Sequence, residues 1–177
     1  DYLMKIHTAG NFLLSLINNV LEMSRIESGK LELNEKPCRR AEVNQKLGII
    51  IGERMERKNI HFSFTDNVKT QVIYCDELKI SEIYLNLLSN CIKYTPEGGS
   101  ITLVSDELPH PKEGWTTIRC VISDTGIGMA PEFVPHIFDD FSRERTATES
   151  KVVGTGLGMS IVKRLVDLMH GTITVER

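Results

Sequence analysis

The sequence predicts an α/β fold, helices over a mixed sheet, with one long helix attached ahead of it. Three observations carry this. Along residues 31–177, helical apolar periodicity alternates with short runs of period-two alternation. The order of those elements does not follow the strict strand–helix alternation of a doubly wound parallel sheet. Residues 1–26 stand apart, because their apolar positions recur at alternating three- and four-residue steps.

In the first helix Leu3, Ile6, Gly10, Leu13, Ile17, Val20 and Ser24 form that seam, and Leu14 and Leu21 widen it. Such a stripe packs against more than one neighbour. It has no evident partner in this chain, so its partners are expected in another segment or a second subunit; an ordinary core helix is the alternative. Ser28-Gly29 is a stop signal. Leu31 to Glu35 alternates as a short strand, and Pro37 breaks the chain. Glu42 to Lys58 reads as a helix with Val43, Leu47, Ile50, Ile51 and Met55 inward. Asn59 to Phe64 alternates as a strand, Asp66-Asn67 is a turn, and Gln71 to Cys75 is another short strand.

Asp76 is a good N-cap for the next helix, Glu77 to Lys93. Ile80, Ile83, Tyr84, Leu87, Leu88 and Cys91 form its buried face. Asn86 and Asn90 are i,i+4 neighbours, and Lys93 follows one step round. Two amides and an ammonium on one stripe are costly if buried without partners, and asparagine is a mediocre helix former. An amide oxygen facing a hard cation, with an ammonium near phosphate, accounts for the pattern. A plain solvated face is the alternative.

Ser100 to Asp106 and Trp115 to Ser123 read as neighbouring strands joined by a hairpin loop with Pro109 and Pro111. The second strand runs into Asp124-Thr-Gly-Ile-Gly128. A carboxylate at a strand end can accept a hydrogen bond from a ligand amino group, and glycines just after it let a flat ring approach the backbone. Pro131 to Phe138 reads as a short helix, with Phe138 and Phe141 pinning one end of the next segment. Ser142 to Val153 is polar, of mixed charge and without periodicity, which suits a lid between two ligand-facing motifs. Gly154-Thr155-Gly156-Leu157-Gly158 opens an amphipathic helix, Met159 to Met169, whose first N–H groups suit phosphate oxygens. Thr172 to Glu176 reads as a strand. One motif fits a base and the other fits phosphates, which together suggest a nucleotide pocket.

Composition narrows the partners. With 177 residues, 41% apolar and 25% charged, the chain is that of a soluble globular protein of one medium domain plus an appendage. A net charge of −3 offers no broad basic face, so nucleic acid is not expected. Cys38, Cys75, Cys91 and Cys120 form no C-x-x-C pair and do not cluster with histidine; they read as reduced thiols of a cytosolic protein. No apolar run reaches the ~18–20 residues a membrane-spanning helix requires, and no signal peptide is recognisable. The pattern begins and ends abruptly, as in a piece of something longer.

Taken singly, the motifs are weak. Asp-Thr-Gly also reads as a turn, and Gly154 to Gly158 matches neither a dinucleotide fingerprint nor a Walker loop. Their combination and order are specific. The chain resembles the catalytic ATP-binding domain of a bacterial sensor histidine kinase, preceded by the second helix of its dimerisation and histidine-phosphotransfer domain. Asn86-Leu-Leu-Ser-Asn90-Cys-Ile-Lys93-Tyr94 is similar to that family's N box. Asp124 to Gly128 resembles its first glycine box, Phe138-Asp-Asp-Phe141 its F box, and Gly154 to Gly158 its second glycine box.

The resemblance implies a two-layer α/β sandwich of the Bergerat type, with residues 1–30 as helix and linker of the dimerisation domain and 31–177 as the catalytic domain, its final strands lying beyond Arg177. It implies that Asp124 bonds the adenine amino group, with Gly126 and Gly128 giving room and Tyr94 and Ile127 as apolar neighbours. It implies that Asn90 binds Mg²⁺ with Asn86 beside it. Lys93, Arg143 and the backbone of Gly154, Thr155, Gly156, Leu157 and Gly158 would serve the phosphates of ATP. The implied reaction transfers the γ-phosphoryl to a histidine for relay to an aspartate of a response regulator or fused receiver domain. The implied setting is a cytoplasmic homodimer, with any inner-membrane anchor in other segments.

Related ATPases of that fold carry a glutamate four residues before the Mg²⁺ asparagine, where it activates water. Here Asn86 stands there and cannot act as a base, so transfer to an imidazole fits better than hydrolysis. None of His7, His61, His110, His136 and His170 has the setting of the family's phosphoacceptor, so this chain is not expected to phosphorylate itself. His170 stands where the family often has glycine, with little consequence expected. A same-fold ATPase or serine kinase, and a non-catalytic nucleotide-sensing or scaffolding module, are the rival readings.

Overall fold

The computed structural model describes residues 2–144 and 154–177. It divides into two compact units, Leu33–Gly128 and Asp1–Glu32 with Met129–Arg177.

The unit Leu33–Gly128 contains β1 (Lys36–Arg39), α2 (Arg40–Glu56), β2 (His61–Asn67), β3 (Val72–Cys75), α3 (Glu77–Tyr94), β4 (Ser100–Pro109) and β5 (Thr116–Asp124); α1 (Tyr2–Glu27) precedes it in the chain. The main sheet has the order β2-β4-β5, with β2 parallel to β4 and β4 antiparallel to β5. The expected mixed sheet is therefore present. β1 and β3 form a separate antiparallel ribbon. On β4, Ile101, Leu103 and Ser105 alternate inward and are buried. Ile101 joins Ile51, Met55, Ile60, Leu88 and Ile92 in one core, so α2 and α3 cover the same side of the sheet. Burial of such aliphatic side chains supplies about 1.5–3 kcal/mol each.

Asp76 caps α3 as expected: its Oδ1 accepts from the N–H groups of Leu78 and Lys79, both at 3.1 Å. Its other oxygen accepts from the Asn34 N–H at 2.8 Å. Two other readings shift. The first strand lies at residues 36–39 rather than 31–35, and Pro37 sits within it, tolerated because a two-stranded ribbon leaves each strand one free edge. The turn expected at Asp66-Asn67 is the end of β2. Partners across the sheet override the local signal: Asn67 Nδ2 donates to Asp106 Oδ1 at 2.8 Å, and the buried Arg40 donates to Asp66 Oδ1 at 2.8 Å.

In the other unit, the described elements beside α1 are a 3₁₀ turn, Val134–His136, and α4 (Gly158–Leu168). Only that turn stands where a helix over 131–138 was expected. No strand forms at 172–176, where alternation predicted one; the described strands pair only among themselves. The α4 face of Ile161, Val162 and Leu165 is buried. The seam of α1 is not: Leu3, Ile6, Leu13, Ile17 and Val20 are exposed, together with Leu14 and Leu21.

Three helices end in the same hydrogen-bonded motif. Gly29 closes α1, with its N–H on the Ile26 carbonyl and the Lys30 N–H on Arg25. Asn59 closes α2, with bonds to Glu56 and from Ile60 to Met55. His170 closes α4, with bonds to Asp167 and from Gly171 to Val166. Each closing residue has positive φ, at +64°, +50° and +57° respectively. Glycine is the residue this motif favours, and asparagine tolerates it.

Candidate functional site

The corner between α3 and the end of β5 gathers most of the residues expected to read a base. Asp124 is the last residue of β5. Its Oδ1 accepts the Gly126 N–H at 2.9 Å, an Asx turn that fixes the carboxylate against its own loop. The Ile127 N–H donates to the Tyr94 carbonyl at 3.3 Å, which ties this loop to the end of α3. The Thr125 hydroxyl accepts from the Ser100 N–H at 2.9 Å and holds the loop to the start of β4. A Cβ at Gly126 would lie 2.5 Å from Asp124 Oδ1 and 3.0 Å from the Tyr94 carbonyl oxygen, so only glycine fits. Ile127 is exposed.

Cys91 belongs to this corner, although its spacing marked it only as a core position. Burial, then the charge of the nearby Asp124 carboxylate and hydrogen bonding to it, push its thiol up to about 12, which keeps it neutral at ordinary pH. Nearby, the Thr95 hydroxyl is fully buried and has no hydrogen-bond partner among the described residues, an arrangement that costs about 1–3 kcal/mol in an apolar setting.

Asn86, Asn90 and Lys93 lie on α3 as expected. Asn86 Nδ2 donates back to the Glu82 carbonyl at 3.0 Å, so its amide is turned onto its own helix. Among the described residues, none hydrogen-bonds the half-buried side-chain amide of Asn90. Its oxygen is a hard, neutral donor of the type a magnesium ion shares with phosphate oxygens and water, so the residue fits that role. The Lys93 ammonium lies 4.9 Å from the centroid of the Tyr94 ring. Lys58 was legible only as the end of a helix. Its ammonium donates to the carbonyls of Ile92 and Lys93 at 2.7 and 3.1 Å and so caps the C-terminal end of α3.

In the other unit, the glycine segment 154–158 leads into α4. Gly156 has φ +75°, and a Cβ there would lie 2.8 Å from the Phe141 carbonyl carbon. The F-box residue thus meets this segment through its backbone, while the residue as a whole is 63% exposed. Thr155 Oγ1 accepts the Leu157 N–H at 3.3 Å. The N–H groups of the first turn of α4 have no carbonyl to meet within the helix, as at any helix start. Arg143 is exposed on irregular chain. Of the lid expected over 142–153, residues 145–153 lie outside the described residues.

Helices over one side of a mixed sheet, with an asparagine-bearing helix packed on a strand that ends in a carboxylate, define a two-layer α/β sandwich of the Bergerat type. The chain belongs to the family of histidine kinase-, DNA gyrase B-, and HSP90-like ATPases, whose model matches residues 75–177. It is 34% identical to the sensor histidine kinase GacS of Pseudomonas protegens, over 99% of this chain and 19% of GacS. It is 32% identical to the autoinducer 2 sensor kinase/phosphatase LuxQ of Vibrio parahaemolyticus, over 95% of this chain and 20% of LuxQ. A crystal structure of full-length ShkA in complex with AMPPNP superposes with a TM-score of 0.77 at 29% identity, covering 96% of this chain and 34% of ShkA. The chain spans about a fifth of the length of each of these two curated relatives.

Proposed function

We propose that this chain is the nucleotide-binding catalytic part of a two-component sensor histidine kinase, with residues 1–30 belonging to a dimerisation domain and 31–177 to the catalytic domain. The Asp124 corner carries the reading: a carboxylate fixed by the Gly126 N–H, beside a glycine that admits no side chain, on a strand packed against α3. Asp124 accepts the adenine amino group, and Gly126, Ile127, Gly128 and Tyr94 surround the base. Asn90 offers its amide oxygen to Mg²⁺, with Asn86 beside it. Lys93, Arg143 and the backbone of Gly154, Thr155, Gly156, Leu157 and Gly158 serve the phosphates. Mg-ATP supplies the phosphoryl group; the residues position it and neutralise its charge, which is most of what phosphoryl transfer requires.

Asn86 favours transfer over hydrolysis. Its amide nitrogen already donates to the Glu82 carbonyl, and an amide cannot deprotonate water. The acceptor is a histidine of the dimerisation domain in a homodimer, and a response-regulator or fused-receiver aspartate takes the group next. Among the described residues no helix is long and apolar enough to cross a membrane; this part of the protein works in the cytoplasm, with any inner-membrane anchor in other segments.

Calorimetric titration with a non-hydrolysable ATP analogue, with and without Mg²⁺, tests the reading. Saturable binding that strengthens with Mg²⁺ and is lost in Asp124→Asn is expected. A folded protein that does not bind, or an Asp124→Asn variant that binds as tightly as wild type, overturns it.

A further inference from the structure

Within the unit Asp1–Glu32 with Met129–Arg177, α1 meets α4 along a face other than its apolar seam. Asn19, Met23 and Glu27 follow at i, i+4 and i+8, which places them on one stripe. Met23 is the only buried side chain described on α1. Asn19 Nδ2 donates to Thr155 Oγ1 at 3.4 Å, the same oxygen that accepts the Leu157 N–H. Glu27 accepts from Arg164 at 2.6 Å, and the other end of that guanidinium donates to Asp140 at 2.8 Å. Asp140 immediately precedes Phe141, whose backbone packs on Gly156.

The glycine segment is thereby held at two places, both of which lead to α1. One runs from Asn19 to the hydroxyl at the centre of the Thr155–Leu157 turn. The other runs from Glu27 through Arg164 and Asp140 to the backbone beneath Gly156. We infer that Asn19 and Glu27 of α1 are positioning residues for the phosphate-binding glycine segment, so that the placement of α1 sets how tightly the triphosphate is held. This rests on the proposed nucleotide-binding role. It goes further in assigning that control to two polar residues of a helix outside the proposed nucleotide-binding residues, and in separating the α1 face that exerts it from the exposed seam of Leu13, Ile17 and Val20.

The test compares two probes on the whole 177-residue chain. A non-hydrolysable ATP analogue reports base and phosphates together, and adenosine reports the base alone. Asn19→Ala removes one donor and is expected to weaken the analogue about three- to fivefold, as fits a single modest hydrogen bond. Adding Glu27→Gln brings the loss to about tenfold. Adenosine binding, read by chemical-shift titration, stays at the wild-type value in both variants. A loss of fold would weaken both probes, so the split identifies positioning. Glu27→Gln alone, at an exposed surface position, serves as the second variant if Asn19→Ala proves unstable. Wild-type protein that binds neither probe overturns the functional reading and this inference with it. Wild-type protein that binds both, with variants that hold the analogue as tightly as it does, overturns this inference alone.

Discussion

The Gly126 N–H donates to Asp124 Oδ1 over 2.9 Å, and the same carboxylate oxygen lies 2.5 Å from where a Gly126 Cβ would stand. The hydrogen bond and the missing side chain are therefore one device. A methyl group at residue 126 must push away either the carboxylate or the Tyr94 carbonyl at 3.0 Å, and neither is the end of a long flexible chain. Gly126→Ala is expected to cost about 1–3 kcal/mol of stability, the usual range for overpacking. Because Asp124 moves, both adenosine and an ATP analogue should bind at least tenfold more weakly. Isothermal titration with both probes checks this. Binding unchanged in the variant would mean that the carboxylate does not read the base.

A second prediction concerns acid. Glu107, near the end of β4, accepts the Thr70 N–H at 2.9 Å, the Thr70 hydroxyl at 2.7 Å, the Lys69 N–H at 2.7 Å and the Thr116 hydroxyl at 3.1 Å. The donors from Thr70 come first among the causes that hold its carboxyl down at about 2, against an ordinary 4.5. A carboxylate with a depressed folded-state pKa contributes stability that is complete above the unfolded value and is lost as pH falls through the folded value. The window is therefore about pH 4.5 down to about 2. Urea midpoints of wild type and Glu107→Gln should differ by a constant amount from pH 7 to about 5.5, and the gap should close steadily below 4.5. A gap that stays constant down to pH 3 would show that the charge on Glu107 is not what holds the Lys69–Thr70 loop.

Much of the candidate site that we propose was legible in the sequence, and the misses have local causes. Asp124, Gly126, Asn86, Asn90 and Lys93 declare themselves because their types are expensive unless used: glycines beside a strand-end carboxylate, amides inside a helix. Cys91 gave no such sign, since a thiol at a buried helical position looks like any small core residue. Lys58 was hidden because its work is done by reaching the carbonyls of Ile92 and Lys93, far along the chain. Asn19 was hidden similarly, being one polar residue on a helix whose loudest signal is the apolar seam on another face. In the fold, α1 to α4 and the strands of the main sheet were read to within a few residues, whereas the helix expected over 131–138 is only a 3₁₀ turn and the strand expected over 172–176 does not form. The first strand was misplaced because alternation at 31–35 is as good as that at 36–39, and only pairing with Val72–Cys75 decides between them. Turn chemistry at Asp66-Asn67 lost to partners on α2 and β4 that no local window contains.

The last prediction follows from the three helix ends. Gly29, Asn59 and His170 close α1, α2 and α4 with the same pair of hydrogen bonds and the same positive φ. The sequence thus supplies the best residue for this position, the next best, and one that pays a steric cost. A β-carbon in the left-handed region is strained by about 1–2 kcal/mol relative to the right-handed one. Glycine relieves that strain but enters with a more disordered unfolded state, which returns about 0.5–1 kcal/mol. The balance favours His170→Gly by about 0.5–1 kcal/mol, or roughly 1–4 °C in melting midpoint for a chain of this size. His170 is exposed and makes no side-chain hydrogen bond among the described residues, so little is lost on its removal. Gly29→Ala should fall the other way, because it puts a β-carbon at φ +64°. Thermal melts of the two variants beside wild type check the pair. A His170→Gly variant that melts below wild type would show that the imidazole stabilises α4 by more than its backbone strain costs.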